Sequence, residues 1–316
     1  MRAERLRALK FGDTAFYWAC RIAALSVLLL LGGIIVSLFA GAWPALKTYG
    51  LAFLTTSRWA PTLEPQPILG GLAPITGTLI SSLIALAIAV PVGLGIAIFL
   101  TELCPPPLKR SIGMAIELLA GIPSIIYGMW GFFVLGPFMY DRLQPALIWF
   151  FHKVPVLHEI FAGPPSNLSL FSASLILAIM VLPFVTAIAK DVFETVPPVL
   201  KEAAYGLGCT KWEVVRNVVL PHTRVGVIGG VMLALGRALG ETMAVTFVIG
   251  NSFHIQSSLF APATTISAAI ASEFAESDGL HQSSLILLGL LLFGLTFVVL
   301  SAARLMLKRL EKKAGQ

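Results

Sequence analysis

Six long apolar runs, separated by short polar segments, organise this 316-residue chain. They cover residues 16–40, 72–100, 112–140, 168–189, 225–249 and 285–307. Each run is long enough to cross a hydrocarbon core of ~30 Å at a rise of ~1.5 Å per residue. The runs are uninterrupted and do not alternate, which predicts helices and not barrel strands. The pattern therefore predicts an all-α integral membrane protein with six transmembrane helices. A leader over 1–15, a six-span body over 16–307 and a tail over 308–316 divide the chain. Pro91, Pro123 and Pro183 fall inside three of the spans, where each frees a carbonyl and permits a kink. Ser124 and Tyr127, beside Pro123, are polar enough to line a path through the membrane. Glu117 falls near the inner edge of the third span, close enough to snorkel to the surface.

The polar segments carry the next information, and the segment 190–224 carries the most. It contains Lys201-Glu202-Ala203-Ala204-Tyr205-Gly206-Leu207-Gly208, then Cys209-Thr210-Lys211-Trp212-Glu213, and closes on Leu220-Pro221. Glu202 to Tyr205 suit a short helix, Gly206 and Gly208 a turn, and Trp212 to Val219 a second helix that Pro221 ends. A helix-turn-helix on a membrane face offers a knob to a soluble partner, although such hairpins also serve as plain connections. Two further polar segments are long, 41–71 and 141–167. The second holds Asp141, Arg142, His152, Lys153, His158 and Glu159, which suit a docking surface or a solvated loop equally well. The segment 251–284 is polar, with a helical stretch over 265–274.

Composition agrees with the pattern. Hydrophobic residues make up 57% of the chain and charged residues 12%, against about 25% in soluble proteins. In a soluble protein the net charge of +6 would suggest nucleic acid. Here sixteen of the 22 Lys and Arg fall on the side of the N-terminus, four on the other side and two inside spans. That asymmetry places both termini and the Glu202 segment in the cytoplasm and excludes a nucleic-acid role. The leader and first span resemble a signal peptide only in part, because the apolar run 22–40 exceeds the usual ~7–15 residues. The leader is expected to lie along the inner surface as an amphipathic helix. Cys20, Cys104 and Cys209 form no disulfide or metal spacing.

One feature is costly. Arg237 lies halfway between Val225 and Ile249, at the centre of the fifth span, and Glu241 follows at i+4 on the same face. An Arg at a span centre costs about 2.5–3.5 kcal/mol on insertion scales, so it must face a cavity or a partner. Its planar fork matches a tetrahedral oxyanion. Glu241 can hold the guanidinium or accept a hydrogen bond from a protonated ligand oxygen. A structural ion pair that joins helices is the other reading of these residues.

No Gly-Lys dipeptide occurs, so the chain lacks the phosphate-cradling loop of the common ATPases and is not expected to be an enzyme. No metal cluster or nucleophile–base pair is recognisable. All five histidines lie outside the spans, away from any proton relay.

The stretch Gly236-Arg237-Ala238-Leu239-Gly240-Glu241-Thr242-Met243-Ala244-Val245 resembles the phosphate-specific branch of the ABC importer permease family. The Glu202-Ala203-Ala204, Gly208 and Leu220-Pro221 spacing resembles the ATPase-coupling loop of the same family. Pro91-Val92-Gly93-Leu94-Gly95 and Glu117-Leu118-Leu119-Ala120-Gly121-Ile122-Pro123-Ser124 agree, so the resemblance covers the second to sixth spans. It implies the type I importer permease fold in a bacterial inner membrane. It implies a heterodimer with a PstA-like second permease, two PstB-like ATPase subunits that bind ATP and Mg, and a PstS-like periplasmic phosphate-binding protein. Arg237, Glu241, Thr242, Ser124 and Tyr127 would then line the path of inorganic phosphate, and this chain would need no cofactor. An importer of sulfate or molybdate is the near rival. A proton-coupled carrier is the distant one, disfavoured because no paired half-repeat or proton relay is visible. A channel is disfavoured by the loop.

Overall fold

The computed structural model describes the backbone of residues 2–63 and 67–314, and the side chains of residues 13–63, 67–154 and 158–309. Among the described residues, five helices are long and apolar enough to cross a membrane, and a sixth span arises if one bent pair is counted together. With that pair counted as one span the number matches the expected six, and three spans differ in form from the expectation.

Helix α1 runs over Arg2–Tyr49 without a break. The leader is continuous with the first span and is not a separate surface helix: the helical backbone runs straight through Gly12, Asp13 and Thr14. A short helix α2, Ala52–Thr55, and a hairpin of β1, Trp59–Ala60, with β2, Ile68–Leu69, follow. The strands pair antiparallel, Trp59 opposite Leu69. Helix α3, Leu72–Ile98, carries Pro91 within it and ends in a π turn over Phe99–Leu103.

The third span differs most. Helix α4, Pro106–Ala120, stops at Gly121, and a new helix α5 starts at Ser124 and extends to Phe151 with its axis 88° from that of α4. Pro123 disfavours the helical conformation at Ile122, and the chain turns over residues 121–123 before α5 starts. Glu117 therefore lies on the helix that precedes the break, and it is exposed. Asp141 and Arg142, expected in a loop, sit in a π turn within α5.

After a short α6, Pro155–Ile160, the central helix α7 covers Leu170–Glu194. Ser169 caps it by accepting from the Ser172 amide at 3.1 Å. Helix α8, Pro198–Gly206, leads into α9, Lys211–Leu239. Pro221 does not end α9. A π turn over Val215–Val219 precedes it and makes room for the ring, so the helix continues to Leu239. The fifth span breaks instead at Gly240–Thr242 and resumes as α10, Met243–Ile249. Helix α11, Ile266–Glu273, follows with Thr265 as its cap, close to the expected stretch, and α12 covers Gly279–Ala314.

The main core surrounds α7, where Ile176, Leu177, Val181 and Val185 meet Ala85 and Ala89 of α3 and Ala234 and Ala238 of α9. A second cluster joins Ala42 and Ala45 of α1 to Leu285 and Leu288 of α12. There Ser283 donates to Gly41 O at 2.8 Å and accepts from the Ala45 amide at 3.0 Å. Along α1, Val27, Leu28, Leu29 and Leu30 are exposed in the isolated chain.

Candidate functional site

Two sites emerge, a knob at one end of the bundle and a pair of helix breaks in its middle. The knob is α8 with its turn. Gly208 has φ +85°, a left-handed conformation that favours glycine. The Gly208 amide donates to Tyr205 O at 2.9 Å and the Cys209 amide to Ala204 O at 3.1 Å, which closes α8 with a Schellman motif. Thr210 and Glu213 then form a reciprocal capping box that starts α9. Glu202 and Ala203 are exposed, while Ala204 is buried beneath them. Leu207 is 86% and Trp212 63% exposed, and Val199, Leu200 and Tyr205 are exposed as well, so the knob presents apolar surface. Leu220 and Pro221 are not part of this tip. They lie on α9, where Leu220 packs on a third cluster of Ala97, Phe193, Val196 and Val219.

In the middle, Arg237 occupies the last turn of α9 and is exposed. Its Cζ stands 6.0 Å from the Phe184 ring centroid, a cation–π distance. Phe184 lies near the midpoint of α7, so Arg237 keeps its expected central depth. The expected ion pair with Glu241 does not form. The helix ends at Leu239, so the i+4 relation on one face is lost, and Glu241 Oε1 accepts from the Ala244 amide at 3.3 Å. Among the described residues, no carboxylate is ion-paired with Arg237. Thr242 starts α10, its carbonyl accepting from the Thr246 amide at 3.0 Å and its hydroxyl donating to Gly240 O at 3.3 Å.

The second break adjoins the first. A Cβ on Gly128 of α5 would stand 3.1 Å from Ala244 Cα and 3.2 Å from Met243 O, so the starts of α5 and α10 touch. Ser124, the first residue of α5, is half-buried there. Tyr127 is buried and its hydroxyl donates to Leu119 O at 2.9 Å, which holds the α4–α5 corner together. The structure thus gathers Ser124, Tyr127, Glu241 and Thr242 around two helix breaks, with Arg237 on the adjoining helix end, and sets Glu202, Ala203, Ala204 and Gly208 apart on the knob. Phe184 carried no signal in the sequence beyond its place after Pro183. The pairs Lys109–Glu194 at 2.9 Å, Lys190–Glu117 at 3.4 Å and Lys201–Glu102 were equally unmarked.

Residues 89–312 match the family described as binding-protein-dependent transport system inner membrane component. The phosphate transport system permease protein PstC of Mesorhizobium japonicum is 61% identical over 315 residues, 99% of this chain and 95% of that protein. The PstC protein of Pasteurella multocida is 54% identical, covering 96% of this chain and 94% of that protein. A chain of a bacterial alginate ABC transporter, solved with an alginate-bound periplasmic protein, superposes with a TM-score of 0.62 at 16% identity, over 95% of this chain and 97% of that one. A chain of the inward-facing MetNI methionine ABC transporter gives a TM-score of 0.55 at 16% identity, over 75% of this chain and 94% of that one. These two likenesses concern the fold.

Proposed function

The chain belongs to the family of binding-protein-dependent transport system inner membrane components, and on that premise we propose how it serves as a permease subunit of an ATP-driven importer of inorganic phosphate. One observation carries the substrate: identity of 61% across 99% of the chain to a phosphate transport permease. The chain is a multi-pass membrane protein and contributes the passage.

In our reading the α8 end faces the cytoplasm with both termini, in a bacterial inner membrane; the sixteen basic residues on that side support this orientation. The knob seats in a soluble ATPase subunit, with Leu207, Tyr205 and Trp212 as its apolar contacts and Glu202 at its exposed face. Two such subunits bind ATP and Mg, and this chain needs no cofactor of its own. A sister permease completes the pathway as a heterodimer, and the exposed apolar side of α1 suits that partner or lipid. A periplasmic phosphate-binding protein delivers the anion at the other end.

The passage chemistry follows from Arg237. At central depth its charge lowers the cost of an anion in a low-dielectric path, and its fork provides paired donors to phosphate oxygens. Ser124 offers a hydroxyl donor at the adjoining helix start, and Thr242 can offer its own by giving up the bond to Gly240 O. Glu241 can accept a hydrogen bond from the protonated oxygen of hydrogen phosphate, which sulfate lacks at neutral pH. Movement of the knob reaches Arg237 along α9.

The test is uptake of radiolabelled phosphate by liposomes holding this chain with its sister permease and ATPase, supplied with binding protein and internal ATP. Phosphate uptake that requires ATP and resists excess sulfate is expected. Absence of phosphate uptake by the assembled complex would overturn the reading.

A further inference from the structure

Glu102 and Lys201 lie 99 residues apart in sequence and form an ion pair where the end of α3 meets α8. Glu102 sits in the π turn Phe99–Leu103 with its side chain only 6% exposed, and Lys201 retains 20%. The other two pairs of this region, Lys109–Glu194 and Lys190–Glu117, join α4 to α7 and leave one or both partners widely exposed. Water screens those two, whereas the Glu102–Lys201 pair is shielded and directional. Lys201 is the neighbour of Glu202 on the same short helix, so the pair grips α8 one residue from its exposed docking face. Beyond Glu102 the chain turns into α4, and α4 ends at the corner that Tyr127 holds beside α10.

We propose that Glu102 and Lys201 are positioning residues: the pair ties α8 to the α3–α4 corner, so that displacement of the knob is passed to α4 and on to the break beside Thr242. This route is separate from α9 and ends at the same pair of helix breaks. The proposal rests on the importer reading above.

The experiment uses the whole transporter in liposomes and reads two quantities per assembled complex: ATP hydrolysed per phosphate imported, and stimulation of ATPase by phosphate-loaded binding protein. Glu102→Gln and Lys201→Gln each remove the pair and should raise the ATP-to-phosphate ratio at least ~5-fold, the lower end of common coupling strengths. The exchange Glu102→Lys with Lys201→Glu should bring the ratio back towards the wild-type value. A purely stabilising pair would lower the amount of complex and leave the ratio unchanged, which would overturn the proposal. Failure of all three variants to assemble would overturn it too, since the pair would then serve folding and not coupling. A wild-type complex that imports no phosphate would instead overturn the importer reading.

Discussion

Trp212 and Arg237 are carried by one continuous helix, 25 residues apart. At ~1.5 Å per residue the separation is about 37 Å, more than the thickness of a hydrocarbon core. The π turn at Val215–Val219 lets this rod pass Pro221 without breaking. A side chain exposed on the knob and a guanidinium at mid-depth therefore belong to one mechanical element. The helix break lies just beyond Arg237, at Gly240–Thr242.

The knob depends on its turn. Gly208→Val should impair phosphate import and co-purification of the ATPase while insertion persists. A β-branched residue at φ +85° costs about 1–2 kcal/mol, enough to open a short turn. A Cβ there meets nothing within 4 Å, so the effect is one of backbone strain alone. Gly208→Asn should keep most activity, because Asn tolerates this conformation. Equal activity in the two variants would contradict the turn's role.

The two ends of α3 allow a stability test that is independent of transport. A Cβ at Gly77 would lie 2.0 Å from Thr264 O, a backbone atom that also borders the cap of α11. Gly77→Ala should destabilise by at least ~1–3 kcal/mol, since packed elements must separate. Gly95→Ala meets open space and should be neutral or slightly stabilising. Thermal unfolding of the detergent-solubilised chain separates the two.

Much of this architecture was legible in the residues, and the parts that were not share one cause. Span number, the knob and the depth of Arg237 follow from apolar length, glycine spacing and charge. The breaks do not. Pro91, Pro183 and Pro221 all sit inside helices, whereas Pro123 begins a new one. The difference lies in contacts made across the corner, where Tyr127 donates back to Leu119 O. Likewise Gly240-Glu241-Thr242 reads as helix until Glu241 takes the Ala244 amide as its partner. Such choices are made by packing and hydrogen bonds between segments, which local pattern does not encode.

The hydroxyl of Tyr127 gives a finer test of the corner. Tyr127→Phe keeps the ring and removes one hydrogen bond of about 0.5–1.5 kcal/mol, so folded protein should stay near the wild-type level. Phosphate import should fall nonetheless, because the α4–α5 corner loses its brace beside α10. Unchanged uptake would show that the corner holds without it.

Orientation is testable by labelling. In a background without native cysteines, Glu276→Cys should react with an impermeant thiol reagent from outside intact cells. Thr210→Cys should react only after the membrane is opened. Both positions are exposed in the isolated chain. The reverse pattern would invert the assignment of the knob to the cytoplasm.

Arg237 and Glu241 now predict different outcomes from one another. Arg237→Gln should abolish phosphate uptake per assembled complex, because Gln keeps a donor but loses the charge and the fork. Arg237→Lys keeps a point charge without the paired geometry, so it should restore little. Glu241 accepts from the Ala244 amide and is not paired with Arg237, so Glu241→Gln retains an acceptor and should be the milder change. The exchange Arg237→Glu with Glu241→Arg should not rescue, because there is no pair to re-form. Rescue by that exchange would restore the simple ion pair expected from i+4 spacing. Wild-type uptake in Arg237→Gln would remove Arg237 from the anion path and leave its contact with Phe184, at 6.0 Å, as a packing feature.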